Sequence, residues 1–368
     1  MCQEKVSLRD HFDSLTDPRS GNALRHNFFD ILVIALCAAV CGADSWNDVE
    51  DFGDAKRDWL QSFLTLPHGI PSHDTFNRVF AAINPDELGA CFMAWTQAVA
   101  TKTDGEVIAI DGKTLRRSYD RQSDKAALQM VSTWASHNRL VLGQVAVDET
   151  SNEITAIPRL LGLLEVSGCI VTIDAIGCQQ DIAAQIVAQG GDYLLTVKAN
   201  QGSLWQEAQD CFGTRTDAMA FYETEETGHG RHEIRRYWMT EALPVPLRQI
   251  QWKGLRSLGM VEATRTVNGK TSVERRYYIS SLPANAARLA HAVRGHWGIE
   301  NQVHWVLDMV FDEDHSRIRE RHSAANFAML RRMALNILRQ DLTPKLSLRR
   351  KRLKAGWDND YLKSLLNL

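Results

Sequence analysis

The sequence predicts an α/β protein: a mixed sheet with helices packed on it, preceded by a helical region spanning residues 1–100. Three observations predict it. The apolar runs VIAI (107–110) and IVTI (170–173) have the length and flanking turn residues of buried strands. Two further runs, 128–136 and 140–147, flank the tight turn His137-Asn138-Arg139, a hairpin signal. Strand 170–173, helix 179–188 and strand 193–197 follow in that order, which implies a right-handed parallel crossover. Antiparallel and parallel pairs therefore share one sheet.

Taken in order, residues 31–41 form an apolar helix, and 46–64 form an amphipathic one that Asp44 or Ser45 caps. His73-Asp74-Thr75 opens a third helix, and Pro85-Asp86-Glu87 starts a fourth with proline and acids in its first turn. Residues 101–105 read as a linker. After the hairpin, 157–164 is helical. Residues 202–275 interrupt the alternation: a short helix near 204–211 precedes strand-like runs at 233–239, 258–266 and 275–279, a β-rich insertion. Helical sequence resumes at 284 and continues with breaks to 338, before a basic segment at 341–368.

With 44% hydrophobic and 24% charged residues, the chain has the composition of a globular protein with a substantial core. Seven scattered cysteines without a CxxC argue against a disulfide framework or zinc site and for a reducing, cytoplasmic setting. The apolar stretch 31–42 is too short for a membrane span and is flanked by Asp30 and Asp44. Net charge is −3, yet the C-terminal segment carries Arg349, Arg350, Lys351, Arg352 and Lys354. It is either a phosphate-binding surface or a solvated helix face.

Three carboxylates carry the functional signal. Asp111 and Asp174 each end an apolar strand, so neighbouring strands deliver two acids to one sheet edge. Glu300 lies on a line with Val303 and Leu307 at helical spacing, which places it on an inward face. Converging acids repel unless a cation neutralises them, and oxygen ligands favour magnesium or manganese. Two such ions suit phosphodiester chemistry. Lys113, Arg116 and Arg117 follow Asp111 closely enough to meet phosphate oxygens, or are exposed basic residues of an Asp-Gly turn. Lys198 and Asn200 project from the strand 193–197 to the same edge. Arg231 lies in the charged segment His229-Gly230-Arg231-His232, beside DNA backbone or in a solvated hairpin. His296, Glu300 and His304 are spaced by four; Gly298 and the missing HExxH order argue against zinc, and the histidines pack or contact phosphate.

At these residues the chain resembles a known family. IAIDGKTLRRSYD, EITAIPRLL, VTIDAIGCQQDIA, GGDYLLTVKANQG, HGRHEIR, RYYISS, HWGIENQVHWVLDMVFDED and the N-terminal GIPSHDTFNRVF resemble the H-repeat-associated bacterial transposases, within the DDE insertion-sequence transposases. The similarity runs in order over nearly the whole chain. It implies a transposase-associated helical domain (1–100) and a catalytic domain with a ribonuclease H-like fold (101–340), whose third acid follows the β-rich insertion (about 202–275). Carried over by position, the two aspartates are Asp111 and Asp174 and the glutamate is Glu300. Many insertion-sequence relatives carry Tyr, Arg and Lys seven before, four before and seven after that glutamate. Here Val293, His296 and Leu307 stand there, and Arg294 is shifted, so those DNA contacts do not transfer.

The resemblance implies that Asp111, Asp174 and Glu300 hold two Mg2+ ions (Mn2+ as substitute) for cleavage at element ends and joining to target DNA. Arg294, His296, Arg349, Arg350 and Arg352 would help Lys113, Arg116, Arg117, Lys198, Asn200 and Arg231 hold DNA, with paired ends requiring a homo-oligomer on DNA. The rival readings are a metal-dependent nuclease that cuts without joining, and an orphaned DNA-binding protein that has lost catalysis.

Overall fold

A computed structural model gives the structure, which describes residues 7–101, 103–119, 126–147, 152–214, 218–228, 230–249, 252–341, 343 and 346–366. His229 lies outside them. Nine strands form one mixed sheet: β1 (Val107–Thr114), β2 (Gln129–Ala135), β3 (Leu140–Ala146), β4 (Ile170–Ile173), β5 (Asp192–Val197), β6 (Ala220–Gly228), β7 (Arg231–Thr240), β8 (Ser257–Val267) and β9 (Lys270–Ser280). Their order is β3-β2-β1-β4-β5-β9-β8-β7-β6. β2 is antiparallel to β3 and β4 is parallel to β5, as the sequence predicts, and β1 lies between β2 (antiparallel) and β4 (parallel). The insertion strands do not form a separate unit: β9 pairs with β5 and extends the same sheet.

The principal helices are α1 (Phe28–Cys41), α2 (Trp46–Ala55), α3 (His73–Ala82), α4 (Pro85–Val99), α5 (Glu153–Leu161), α6 (Gln180–Ala188), α7 (Gly202–Thr214), α8 (Ala286–Gly298), α9 (Trp305–Met309), α10 (Ser323–Gln340), α11 (Leu348–Trp357) and α12 (Asn359–Leu366). The predicted helix 46–64 is broken after Ala55, with a short turn of helix at Arg57–Leu60. α1 is almost wholly buried; no single helix among the described residues is long and apolar enough to cross a membrane. Together α1–α4 share one core with α10. Trp46 donates to Ser323 Oγ at 3.0 Å and stacks on Phe80, while Asn326 donates to the Phe80 and Ile83 carbonyls at 2.7 and 3.0 Å.

Strand alternation sorts the two faces. Ile108, Ile110, Val171 and Ile173 pack with α5 and α6. Val107 and Ile170 pack with Leu289 and Val293 of α8, and Ala109 and Trp134 pack with Ile299 and Val303. Two glycines let α8 sit directly on the strands. A Cβ at Gly295 would lie 2.7 Å from Val107 Cγ1, and one at Gly298 would lie 2.7 Å from Trp134 Nε1. Gly298 therefore serves close packing and does not end the helix, which passes into a π turn at Ile299–His304.

The basic C-terminal segment is two helices, and part of its charge is structural. Arg349 and Arg350 are exposed. Arg352, expected to face DNA, is instead buried: it lies over Phe311 at 4.2 Å and donates to the Ala39 carbonyl at 3.1 Å and to that of Val310. Lys351 donates to the Leu338 carbonyl at 3.1 Å. At α-helical spacing alternate basic residues must face opposite sides, and here the inward pair clamps α11 to α1 and α10.

Candidate active site

Ile110 and Ile173 are register partners on parallel strands, and each is followed at once by an acid. Asp111 and Asp174 thus leave adjacent strands, whose spacing is about 4.8 Å, at the same level. By alternation both side chains face α8 and the π turn. Glu300 is the second residue of that turn. His304 sits one turn on, its Nδ1 at 3.3 Å from Glu300 Oε2 and 3.6 Å from Asp111 Oδ2. One ligand atom each from Asp111, Glu300 and His304 falls within 4.8 Å of the others. Asp174 joins them in a cleft of about 670 Å³ whose walls include Lys198, Arg275, Arg276, His296 and Trp297.

Glu300 is not on the inward face expected from the sequence. Its side chain is 58% exposed, while Val303 and Leu307 are buried. The cause is the π turn: wider winding changes the phase between residues, so α-helical spacing misplaces the glutamate relative to the apolar line. The rotation turns Glu300 off the core and over Asp111.

The electrostatics are those of a site short of positive charge. Burial, then Glu300's charge and Asp174's, push the Asp111 carboxyl up to about 8. The His304 hydrogen bond holds the Glu300 carboxyl below its usual range. Burial lowers His296, whose Nδ1 lies 3.0 Å from Thr172 Oγ1. The carboxylate oxygens of Asp111 and Glu300 fit a hard divalent cation, which would offset the repulsion between them, and the His304 imidazole is a borderline donor beside them. Asp111, Glu300 and His304 are the residues that could hold it.

A pH prediction follows from Asp111. Its folded-state value lies above that of the unfolded chain, so this contribution is present below about pH 4 and is lost as pH rises through about 8. In EDTA, Tm is therefore expected to fall by about 3–8 °C between pH 5.5 and 8.5. Saturating Mg2+ should remove most of that slope, and differential scanning fluorimetry reads both. A flat EDTA profile would contradict the charge imbalance.

The remaining expected residues divide. Lys113 is not free for phosphate: its Nζ lies 2.5 Å from Asp308 and 3.1 Å from Asp314, and its side chain is 8% exposed. Arg116 is exposed, with Asp314 at 3.2 Å. Arg117 is half-buried, and its carbonyl accepts from Arg319 Nε at 3.1 Å. Lys198 is exposed on the cleft wall. Asn200 donates to the Ala175 carbonyl at 3.0 Å and so braces the loop after Asp174. Arg294 is held by Glu226 at 2.8 Å. With exposed Arg231 it lines a second groove of about 540 Å³, beside the cleft, together with Arg235, Arg265 and Arg276. His304 had one sequence signal, its place four residues after Glu300. Arg276, whose guanidinium lies 4.6 Å over the Trp297 ring, had none.

Comparison with known proteins identifies the family. Residues 102–337 match the family model described as Transposase DDE domain, and residues 9–96 match DDE_Tnp_1-associated. The chain is 41% identical over 372 residues to the "H repeat-associated putative transposase YhhI" of Escherichia coli (strain K12), covering 99% of this chain and 98% of that one. It is 40% identical over 367 residues to the "Putative transposase YncI" of Escherichia coli O157:H7, covering 98% and 94%. The chain belongs to the H repeat-associated family of DDE transposases.

Proposed function

We propose that this protein is a DNA transposase that cuts the ends of an insertion element and joins them to target DNA, with Asp111, Asp174 and Glu300 as its catalytic acids. The observation that carries the reading is the register: two acids follow paired residues of adjacent parallel strands, and Glu300 and His304 close over the first. The sheet order β3-β2-β1-β4-β5 supports a ribonuclease H-like core within residues 101–340, extended by the β-rich strands of about 202–275. Residues 1–100 would be the transposase-associated unit and 341–368 a basic appendage.

Two Mg2+ ions, when bound, would lower the pKa of an attacking hydroxyl and neutralise charge developing on the leaving oxygen. The acids fix where that charge stabilisation is delivered. His304 restrains Glu300 at the position it takes beside Asp111. His296, half-buried on the cleft wall and disfavoured in its charged form by desolvation, can pack on or donate to a phosphate oxygen without adding charge. Lys198 offers an exposed cation on the cleft wall, and exposed Arg231 and Arg265 add cations in the second groove, where Arg235, Arg276 and Arg294 are paired with Glu226, Glu233 and Glu274. DNA held this way should bind with strong salt dependence. Paired element ends would require a homo-oligomer on DNA.

The test uses pre-nicked element ends and a target plasmid with Mg2+ or Mn2+. Joined products are the expected result. Cleavage of intact ends without joining would leave a nuclease, and neither activity would leave a DNA-binding relative.

A further inference from the structure

We infer that Glu153 is a fourth carboxylate of this centre, a ligand for a divalent cation on the Asp174 side, and that residue 112 is glycine in order to admit it. The inference rests on the proposed metal-dependent reading of Asp111, Asp174 and Glu300. Glu153 is the first residue of α5, and the Asn152 side chain caps that helix by accepting from Ile154 N at 3.0 Å. A Cβ built on Gly112 would stand 2.1 Å from Glu153 Oε1, 2.4 Å from its Cδ and 2.9 Å from Oε2. The carboxylate therefore lies on the backbone of the residue directly after Asp111. Gly112 is paired with Val131 inside β1 and has no positive φ, so its backbone does not require glycine. The space does.

Alternation turns Gly112 away from the side that Asp111 faces. Glu153 thus reaches the strand ends from the α5 layer, opposite Glu300 and His304. The two aspartates lie between the glutamates. Glu153 is half-buried and makes no hydrogen bond or ion pair among the described residues. Burial and the charge of Asp174 push its carboxyl above the usual range. An acid in the first turn of a helix is ordinary, because the helix dipole favours it. That accounts for Glu153 on α5 but not for a carboxylate seated without a partner in a glycine notch directly after Asp111 and within reach of the charge of Asp174.

The experiment titrates Mn2+ into the purified full chain and reads bound metal by electron paramagnetic resonance. Two sites are expected for the wild type and none for Asp111→Asn. In Glu153→Gln one of the two sites should weaken at least about tenfold. Gly112→Ala should do the same while keeping the glutamate, because its Cβ displaces the flexible carboxylate. Circular dichroism melts confirm folding, and Glu153→Gln, isosteric and half-exposed, decides alone where Gly112→Ala does not fold. Wild-type binding in Glu153→Gln, with binding lost in Asp111→Asn, would overturn the role of Glu153 and leave the centre standing. Absence of specific Mn2+ binding by the wild type would overturn the centre itself and this inference with it.

Discussion

Asp174→Ala is expected to abolish divalent-dependent cleavage at element ends, lowering the rate by at least about 10³-fold, while DNA affinity changes by less than about threefold. The asymmetry comes from where the residue sits. Asp174 follows the last residue of β4 and is only half-buried, so its loss leaves no cavity in the core. Its one local duty is accepting from Ile176 N at 3.1 Å, and losing such a bond costs about 1 kcal/mol. On the proposed reading DNA is held by basic residues elsewhere, so the slope of log affinity against log salt should also stay near its wild-type value. Gel shifts over a salt series and cleavage with Mg2+ on the same preparations read both halves. Cleavage that persisted in Asp174→Ala would remove this residue from the catalytic set.

The strands that carry the acids were legible because burial on both faces leaves an uninterrupted apolar run, and the acid ends the run. That β1 and β4 are neighbours was read from the acid that ends each run, while the strand-helix-strand order predicts only the β4–β5 pair. β6 was not legible. Its sequence AFYETEETG is polar because it is an edge strand facing solvent, with Glu223 and Glu225 paired to Arg236 and His232 of β7. α5 begins four residues before the expected 157, since its first turn is polar and carries its own cap. That shift hid Glu153. Glu300 was found by type and family position, but its inward placement assumed α-helical phase through a π turn. Lys113 and Arg352 were misread for a common reason. A basic side chain in a sequence carries no mark of its partner, and the partners here come from residues 308–314 and from α1.

Glu313→Ala should destabilise the protein by about 3–5 kcal/mol, the largest stability effect expected from any single charge removal here. Glu313 and Arg332 are both wholly buried, with Oε1 and Nη1 2.8 Å apart. Burial works to raise the Glu313 carboxyl, but Arg332, Arg331 and Lys113 outweigh it and hold it below its usual range. Without the glutamate, Arg332 keeps only neutral acceptors, the Ala328 carbonyl at 3.0 Å and Ser132 Oγ at 3.3 Å, in a site closed to water. An unpaired buried cation costs more than the pair contributes, so Glu313→Leu combined with Arg332→Met should recover much of the loss in urea melts. Equal destabilisation in the single and double variants would show that shape, not charge, governs the site. The consequence reaches the acids, because Lys113 Nζ lies 4.0 Å from Glu313 and bonds its neighbours Asp308 and Asp314. Lys113 is two residues beyond Asp111 on β1. The recovered double variant should therefore fold well and still cleave more slowly, since the ion network that anchors the end of β1 would be incomplete. This separates the two duties of the network: the Glu313–Arg332 pair secures α10 to the fold, and the acids around Lys113 fix the strand from which Asp111 projects.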